Sequence, residues 1–276
     1  MIQFSTCKIN LGLSILEKRS DGFHSLETVF YPVNLNDIVE ITIQPSSSKA
    51  AKEVVFSHSG IPIPGDSESN LCVKAYQLLK ADFPKLPEVQ IHLHKNIPIG
   101  AGLGGGSANG STVLKLLNTL LELKLSTPQL VQYASKLGSD CPFFIYNEPC
   151  HASSRGEILQ PLPINLNNYT IALVHPGIHI STAWAFGQLK PSIKEKTIAE
   201  IIKQPVTSWK EALINDFELP VFKAHPLLED LKNYLYQQGA IYASMSGSGS
   251  SLFGLFPKGT QLKAPNNASS IRIDLI

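Results

Sequence analysis

The chemistry this sequence can do rests on one glycine run and two charged side chains. Pro98-Ile-Gly-Ala-Gly-Leu-Gly-Gly-Gly-Ser-Ala-Asn-Gly-Ser-Thr112 has Gly at five of the nine positions from Gly100 to Ala108. A glycine turn that opens a helix lets backbone N–H groups approach an anion, and the helix dipole adds positive potential at that end. The chemistry is phosphate binding. Asp140, in Gly138-Ser-Asp-Cys-Pro142, is a carboxylate that can take the proton of a hydroxyl attacking a phosphoryl group. Lys8, among apolar neighbours in Thr6-Cys-Lys-Ile-Asn10, can keep such a carboxylate ionised and neutralise charge developing on the transferred group. Taken singly, Asp140 is better read as a turn or cap residue, and Lys8 as a lysine on an exposed face. His24 alone reads as a structural or solvated histidine, and Trp184 and Phe186 as core aromatics.

The glycine run fits more than one template. Gly100-x-Gly102-x-x-Gly105 satisfies the dinucleotide fingerprint. Three features oppose that reading. The preceding strand alternates instead of being apolar throughout, Pro98 stands between strand and loop, and the acidic residue at the right distance, Glu122, lies inside a leucine-rich helix. No Lys-Ser or Lys-Thr follows the glycines, so the Walker pattern is absent.

The elements that must position these groups follow from periodicity. Residues 2–16 read as a strand, a turn near Asn10–Gly12 and a second strand. Asp21-Gly22 is a turn, and Ser25–Val33 and Asp37–Ile43 are two strands. Residues 44–69 are rich in Ser, Pro, Gly and Lys and read as a hairpin or irregular excursion around Val54–Phe56. Asn70 precedes an amphipathic helix ending before Pro84. Val89, Ile91 and Leu93 alternate with Gln90, His92 and His94, a strand with one polar face. After the glycine run, Val113, Leu114, Leu116, Leu117, Leu120 and Leu121 give a core-facing helix. Thr127-Pro128 reads as the next helix start, with Thr127 as N-cap, and Gly138 as its C′ residue. The polar stretch 150–165 marks a domain boundary near residue 155, giving domains 1–155 and 156–276. Beyond it, Tyr169–His175 is a buried strand and Ser181-Thr182 caps a short helix through Phe186. Helices are expected around 194–203, 207–213 and 226–238. Ile241–Met245 and Ser251–Phe256 are strands joined by Ser246-Gly-Ser-Gly-Ser250, and Ile271–Ile276 is the last strand. This mixture, without regular β-α-β alternation, is an α+β fold.

A net charge of +1 argues against a nucleic-acid polyanion as the main partner. Four cysteines without metal-ligand spacing read as reduced thiols, hence a cytoplasmic protein. The N-terminus lacks the pattern of a signal peptide, and no apolar run reaches the ~20 residues that span a bilayer.

The motifs in combination resemble the GHMP kinases, the family of galactokinase, homoserine kinase, mevalonate kinase and phosphomevalonate kinase. The similarity rests on Pro98–Asn109, on Lys8-Ile-Asn-Leu-Gly-Leu13 and on Met245-Ser-Gly-Ser-Gly-Ser250. Within the family, three further segments are most similar to the branch whose acceptor is a cytidine-diphosphate-linked methylerythritol: Asp21-Gly-Phe-His-Ser-Leu-Glu-Thr28, Gly138-Ser-Asp-Cys-Pro-Phe-Phe144 and Asn215-Asp-Phe-Glu218. The resemblance implies an N-terminal nucleotide-binding domain and a C-terminal ferredoxin-like domain with the active site between them. It implies ATP-dependent phosphorylation of the acceptor's 2-hydroxyl, in non-mevalonate isoprenoid synthesis, by a monomer or weak homodimer acting on a small molecule. By position it makes Asp140 the base and Lys8 its electrostatic partner. It assigns Asn70, Leu71 and Lys95 to the adenosine, and Pro98, Gly100, Gly102, Leu103, Gly104, Gly105, Gly106 and Ser107 to the rest of the ATP site. Asn10, Phe23, His24, Asp140, Thr182 and Phe186 hold the acceptor, with His24 on the cytosine edge and Phe186 on its face. Gly247, Ser248 and Gly249 brace the phosphate loop. Mg²⁺ is expected with the ATP, with no residue assigned to it. Phe23 stands where the family usually has Tyr, and Ala108 and Gly110 where it has Ser and Ala.

Overall fold

The alternation in residues 2–43 runs further than its turn-like residues suggest. β1 (Ile2–Lys18) is one strand with no turn at Asn10–Gly12, and β2 (His24–Ile43) is one strand through Asn34–Asn36. The reason is burial. Every residue from Cys7 to Ile15 is buried, and Val33, Leu35 and Asp37 keep the period of two across the polar positions. A turn in either place would expose that run.

The remaining elements are β3 (Val54–Gly60), α1 (Leu71–Asp82), β4 (Val89–Lys95), α2 (Gly105–Leu120), α3 (Thr127–Leu137), α4 (Cys141–Tyr146), β5 (Cys150–Ser154), β6 (Ile158–Pro161), β7 (Tyr169–His175), α5 (Thr182–Gly187), α6 (Ile198–Ile201), α7 (Trp209–Ala212), α8 (Glu218–Ala224), α9 (Pro226–Gln237), β8 (Tyr242–Met245), β9 (Leu252–Pro257) and β10 (Arg272–Leu275). This computed structural model describes residues 1–44, 53–263 and 271–276. Most of the excursion expected at 44–69 is therefore visible, while its residues 45–52 lie outside the described residues.

The chain divides into two units. The first comprises Met1–Cys7, Asn34–Ile99 and Gly104–Glu148. There β3 runs parallel to β4, and β4 antiparallel to Ile38–Ile43 of β2. Val39, Ile41, Val89, Ile91 and Leu93 pack against Tyr76 and Leu79 of α1 and Val113, Leu114 and Leu117 of α2. Each such side chain contributes roughly 1.5–3 kcal/mol by leaving water. The helix expected after Asn70 is present, and Asn70 caps it, accepting from the Cys72 N–H at 2.9 Å. The cap of α3 is Ser126 and not Thr127: the Gln129 side chain accepts the Ser126 N–H at 2.9 Å, the return half of a capping box. Gly138 does follow the last residue of α3, but in extended backbone (φ 168°), without the left-handed turn of a C′ glycine.

The second unit comprises Lys8–Val33, Gly100–Leu103 and Pro149–Ile276. Leu26–Phe30 of β2 pairs antiparallel with β5, and β5 with β6. This hairpin occupies the stretch read as an irregular boundary. Its sequence hides it, since Cys150 and Ala152 are its only fully buried side chains. A separate antiparallel sheet has the order β10-β7-β9-β8, that of a ferredoxin-like domain. Val221, Leu228, Leu231 and Leu235 of α8 and α9 pack on Ala172, Val174, Ala243 and Leu252. The helix expected over 194–203 shortens to α6, started by a Thr197–Glu200 capping box. Two helices go unread in the sequence: α4, which starts at Cys141-Pro142, and α8, which contains Pro220.

Candidate active site

In the first unit, β4 leads to Pro98 and then, after Gly104 in left-handed backbone (φ +69°), α2 begins at Gly105. The free N–H groups of its first turn thus lie inside the glycine run. A Cβ built at Gly106 meets nothing within 4 Å, so the backbone is open to a ligand there. Gly110 packs on the start of α1, where an added Cβ would lie 3.0 Å from Leu71 Cβ. This close approach accounts for glycine at that position and places Asn70 and Leu71 beside α2.

Lys95 ends β4 with 4% exposure, and its ammonium donates to the fully buried Asp37. Asp37 also accepts the N–H groups of Asn96 (2.7 Å) and Ile97 (2.8 Å) and the Asn109 amide of α2 (2.9 Å). This carboxylate ties the approach to the glycine run to the helix that follows it. Burial pushes the Lys95 ammonium below its ordinary range, and Asp37 opposes that shift.

Asp140 precedes α4, and α4 is fastened to α2. Ser111 Oγ donates to the Cys141 carbonyl (2.8 Å) and Lys115 Nζ to that of Phe144 (2.9 Å). Burial pushes the Cys141 thiol up to about 11, opposed by hydrogen bonding to Ser107 and Ser111 and reinforced by Asp140. Cys141 is therefore a neutral thiol at physiological pH. All four cysteines are free and buried.

In the second unit, Lys8 is 4% exposed in the middle of β1. Its ammonium donates to Asn10 Oδ1 at 2.6 Å and to the Gly102 carbonyl at 3.0 Å, and lies 5.1 Å from the centre of the Phe30 ring. The Lys8 N–H donates to the Leu103 carbonyl at 3.0 Å, so strand and loop are joined by backbone as well. The two glycine turns touch. Ser246 Oγ donates to the Gly102 carbonyl (2.8 Å), and Ser251 N–H to that of Ala101 (3.1 Å). Gly102 has φ +77°, and a Cβ there would come 1.9 Å from the Ser246 carbonyl oxygen, so no other residue fits.

Thr182 Oγ1 lies 3.2 Å from Ser248 Oγ, which joins α5 to the second glycine turn. His24 stacks on Phe186 with centroids 5.0 Å apart, and Phe186 meets the edge of Phe217 at 4.9 Å. Phe23 stands apart from this stack. It is 54% exposed, and the Arg155 guanidinium lies 4.9 Å from its ring centre.

Sequence reasoning missed the polar groups that hold these residues. Asn215 Nδ2 donates to the carbonyls of Met245 (2.7 Å) and Gly247 (2.8 Å), which shapes the second glycine turn. Glu218 accepts the Met245 N–H at 2.8 Å and pairs with Lys232 at 2.6 Å. The signal was present in Asn215-Asp-Phe-Glu218, but a sequence does not say where such a cluster docks. Among the described residues, no group of three or more His, Cys, Asp or Glu could hold a metal ion, and no helix is long and apolar enough to cross a membrane.

Two family models match, the GHMP kinases N terminal domain over residues 70–148 and the GHMP kinases C terminal domain over residues 197–270. The chain is similar to the 4-diphosphocytidyl-2-C-methyl-D-erythritol kinase of Bacteroides thetaiotaomicron, 52% identical over 94% of each chain. That of Bacteroides fragilis is 51% identical over 93% of this chain and 92% of its own. A crystal structure of 4-(cytidine 5'-diphospho)-2C-methyl-D-erythritol kinase superposes with a TM-score of 0.78 at 30% identity, covering 92% of this chain and 90% of that one. With two family models along its length, whole-chain relatives and a fold in agreement, the chain belongs to the GHMP kinase family.

Proposed function

We propose that this small-molecule kinase transfers the γ-phosphoryl group of ATP to the 2-hydroxyl of 4-diphosphocytidyl-2-C-methyl-D-erythritol, giving the 2-phosphate and ADP, in the non-mevalonate route to isoprenoid precursors. The observation that carries it is identity of 51–52% over nearly the whole chain to kinases named for that substrate. Phosphoryl transfer asks little covalent work of a protein beyond positioning and charge stabilisation, and the residues here suit it. The bond from the acceptor oxygen to Pγ forms as the bond from Pγ to the bridging oxygen of ADP breaks. Asp140 takes the hydroxyl proton. Lys8 offsets charge on the transferred group, and the N–H groups at the start of α2 hold the phosphates. Asn70, Leu71 and Lys95 surround the adenosine. Asn10 and Thr182 orient the polyol, and the His24–Phe186 stack parts to admit the cytosine, with Phe23 at its edge. Gly247, Ser248 and Gly249 keep Gly100–Leu103 in shape, a role consistent with the contact between the two turns.

Magnesium binds typically through phosphates and one or two carboxylates, without a full protein cage. The donors present fit that pattern, since Ser107 and Asp140 both offer hard oxygen atoms and both act on the Cys141 thiol. When bound with ATP, Mg²⁺ would supply charge neutralisation at the phosphates. We further place the functional domain boundary near residue 155, between the two matched family segments. The enzyme works in the cytoplasm, as a monomer or weak homodimer, on a small molecule with no nucleic-acid or membrane partner. The test is ATP consumption coupled to NADH oxidation with the cytidyl-diphosphate-methylerythritol acceptor. Turnover is expected; turnover on homoserine or mevalonate and none on this acceptor would overturn the proposal.

A further inference from the structure

We propose that Thr28 is a positioning residue for the phosphoryl transfer: it fixes which end of the Asn10 amide faces Lys8, and so where the Lys8 ammonium points. The proposal rests on the reading of Lys8 as the charge-stabilising group. An asparagine amide can present either its oxygen or its NH₂ to a neighbour, and only the oxygen can accept from an ammonium. Asn10 presents its oxygen, at 2.6 Å from Lys8 Nζ.

The reason lies on the far side of the amide. Asn10 Nδ2 donates to Thr28 Oγ1 at 2.9 Å, and the Thr28 hydroxyl donates its own single proton to the Gly12 carbonyl at 2.5 Å. With that proton committed, Oγ1 can only accept from Asn10. The direction of every bond is then set, from Lys8 to Asn10 to Thr28 to Gly12, while the second Lys8 donor goes to Gly102 of the phosphate loop. Lys8, Asn10 and Thr28 are 4%, 1% and 1% exposed, so water does not offer the amide an alternative partner.

The end of the relay is built into the backbone. Gly12 holds φ +69° inside β1, and a Cβ there would lie 2.6 Å from Leu213 Cδ1, so a side chain at residue 12 would be strained and crowded. Ser246 Oγ accepts the Asn10 N–H at 3.3 Å and lies 3.4 Å from Asn10 Oδ1, but its single proton has a much shorter acceptor in the Gly102 carbonyl at 2.8 Å. Thr28 is the partner of the amide nitrogen, and at 2.9 Å it is the shorter of the two contacts that set the side-chain orientation. It sits in Asp21-Gly-Phe-His-Ser-Leu-Glu-Thr28, whose earlier residues belong to the acceptor site in our reading, so one segment serves both acceptor recognition and the charge on the phosphoryl group.

The experiment compares Thr28→Val, which keeps shape and removes the hydroxyl, with Thr28→Ser, which keeps it, in wild-type and Lys8→Ala backgrounds. We expect Thr28→Val to lower kcat by roughly tenfold or more while leaving the KM for ATP within about twofold, and Thr28→Ser to restore most of the loss. In the Lys8→Ala background, Thr28→Val should have no further effect on kcat, because residues acting through one another are not additive. A wild-type kcat for Thr28→Val, or an equal extra loss in the Lys8→Ala background, overturns the proposal while the reading of Lys8 stands. A wild-type kcat for Lys8→Ala alone overturns both. Should Thr28→Val not fold, Thr28→Ala carries the same expectations.

Discussion

Asp140 and Lys8 differ in how local their surroundings are. Asp140 is set by neighbours in sequence, one residue ahead of α4 and after the extended Gly138, and its side chain makes no capping hydrogen bond to that helix. Because it keeps the size and shape of the side chain, Asp140→Asn should leave the unfolding midpoint and ATP binding nearly unchanged. It should lower kcat by roughly 10²–10⁴-fold, the range for loss of a general base. Steady-state kinetics beside calorimetric ATP titration checks this, and a near wild-type kcat would remove Asp140 as the base. The setting of Lys8 is partly remote in sequence, since its ammonium donates to the Gly102 carbonyl, which Ser246 also holds. The sequence shows an ammonium in an apolar strand. It does not show that Lys8 is buried, nor that Asn10 is its partner. Lys95 carries the same lesson. Its partner Asp37 stands 58 residues away, and nothing local distinguishes that aspartate from Asp66 or Asp82.

At the scale of elements, the two glycine turns are one device. Gly100–Leu103 and Ser246–Ser250 meet backbone to backbone, with no room for a side chain at Gly102. Gly102→Ala places a Cβ where the Ser246 carbonyl now lies and strains a left-handed residue. It should raise the KM for ATP by about tenfold or more and lower the unfolding midpoint by several degrees, as expected for a cost of ~1–3 kcal/mol. Gly106→Ala, which meets open space, should lower the midpoint much less; equal losses from the two would count against the docking of the turns. Elements with strong local grammar were legible: the amphipathic helix after Asn70, the alternation of β4 and the leucine spacing of α2. β5 and β6 were not, because edge strands with few buried side chains carry little apolar alternation. The unbroken β1 was not, because burial on both faces overrode the turn-like Asn10–Gly12.

At the scale of the molecule, β1 and β2 each run through both units, so Lys8 and Asp140 belong to different ones although both were read from single motifs. A ligand that binds only the folded chain raises its stability by mass action. Mg·ATP at ~100 times its Kd should add ~2.7 kcal/mol, measurable as a thermal shift, and NAD at the same concentration should add nothing. A shift with NAD and none with Mg·ATP would restore the dinucleotide reading of Gly100–Gly105. By itself the sequence determined the α+β class, the family and the kinase chemistry, because glycine spacing, caps and alternation act over a few residues and survive as pattern. Only the tertiary structure decided which buried polar groups satisfy one another: Asp37 with Lys95, Asn215 with Gly247, Thr28 with Asn10. A buried donor must find its acceptor wherever the packed chain brings one, and that place is set by the whole core.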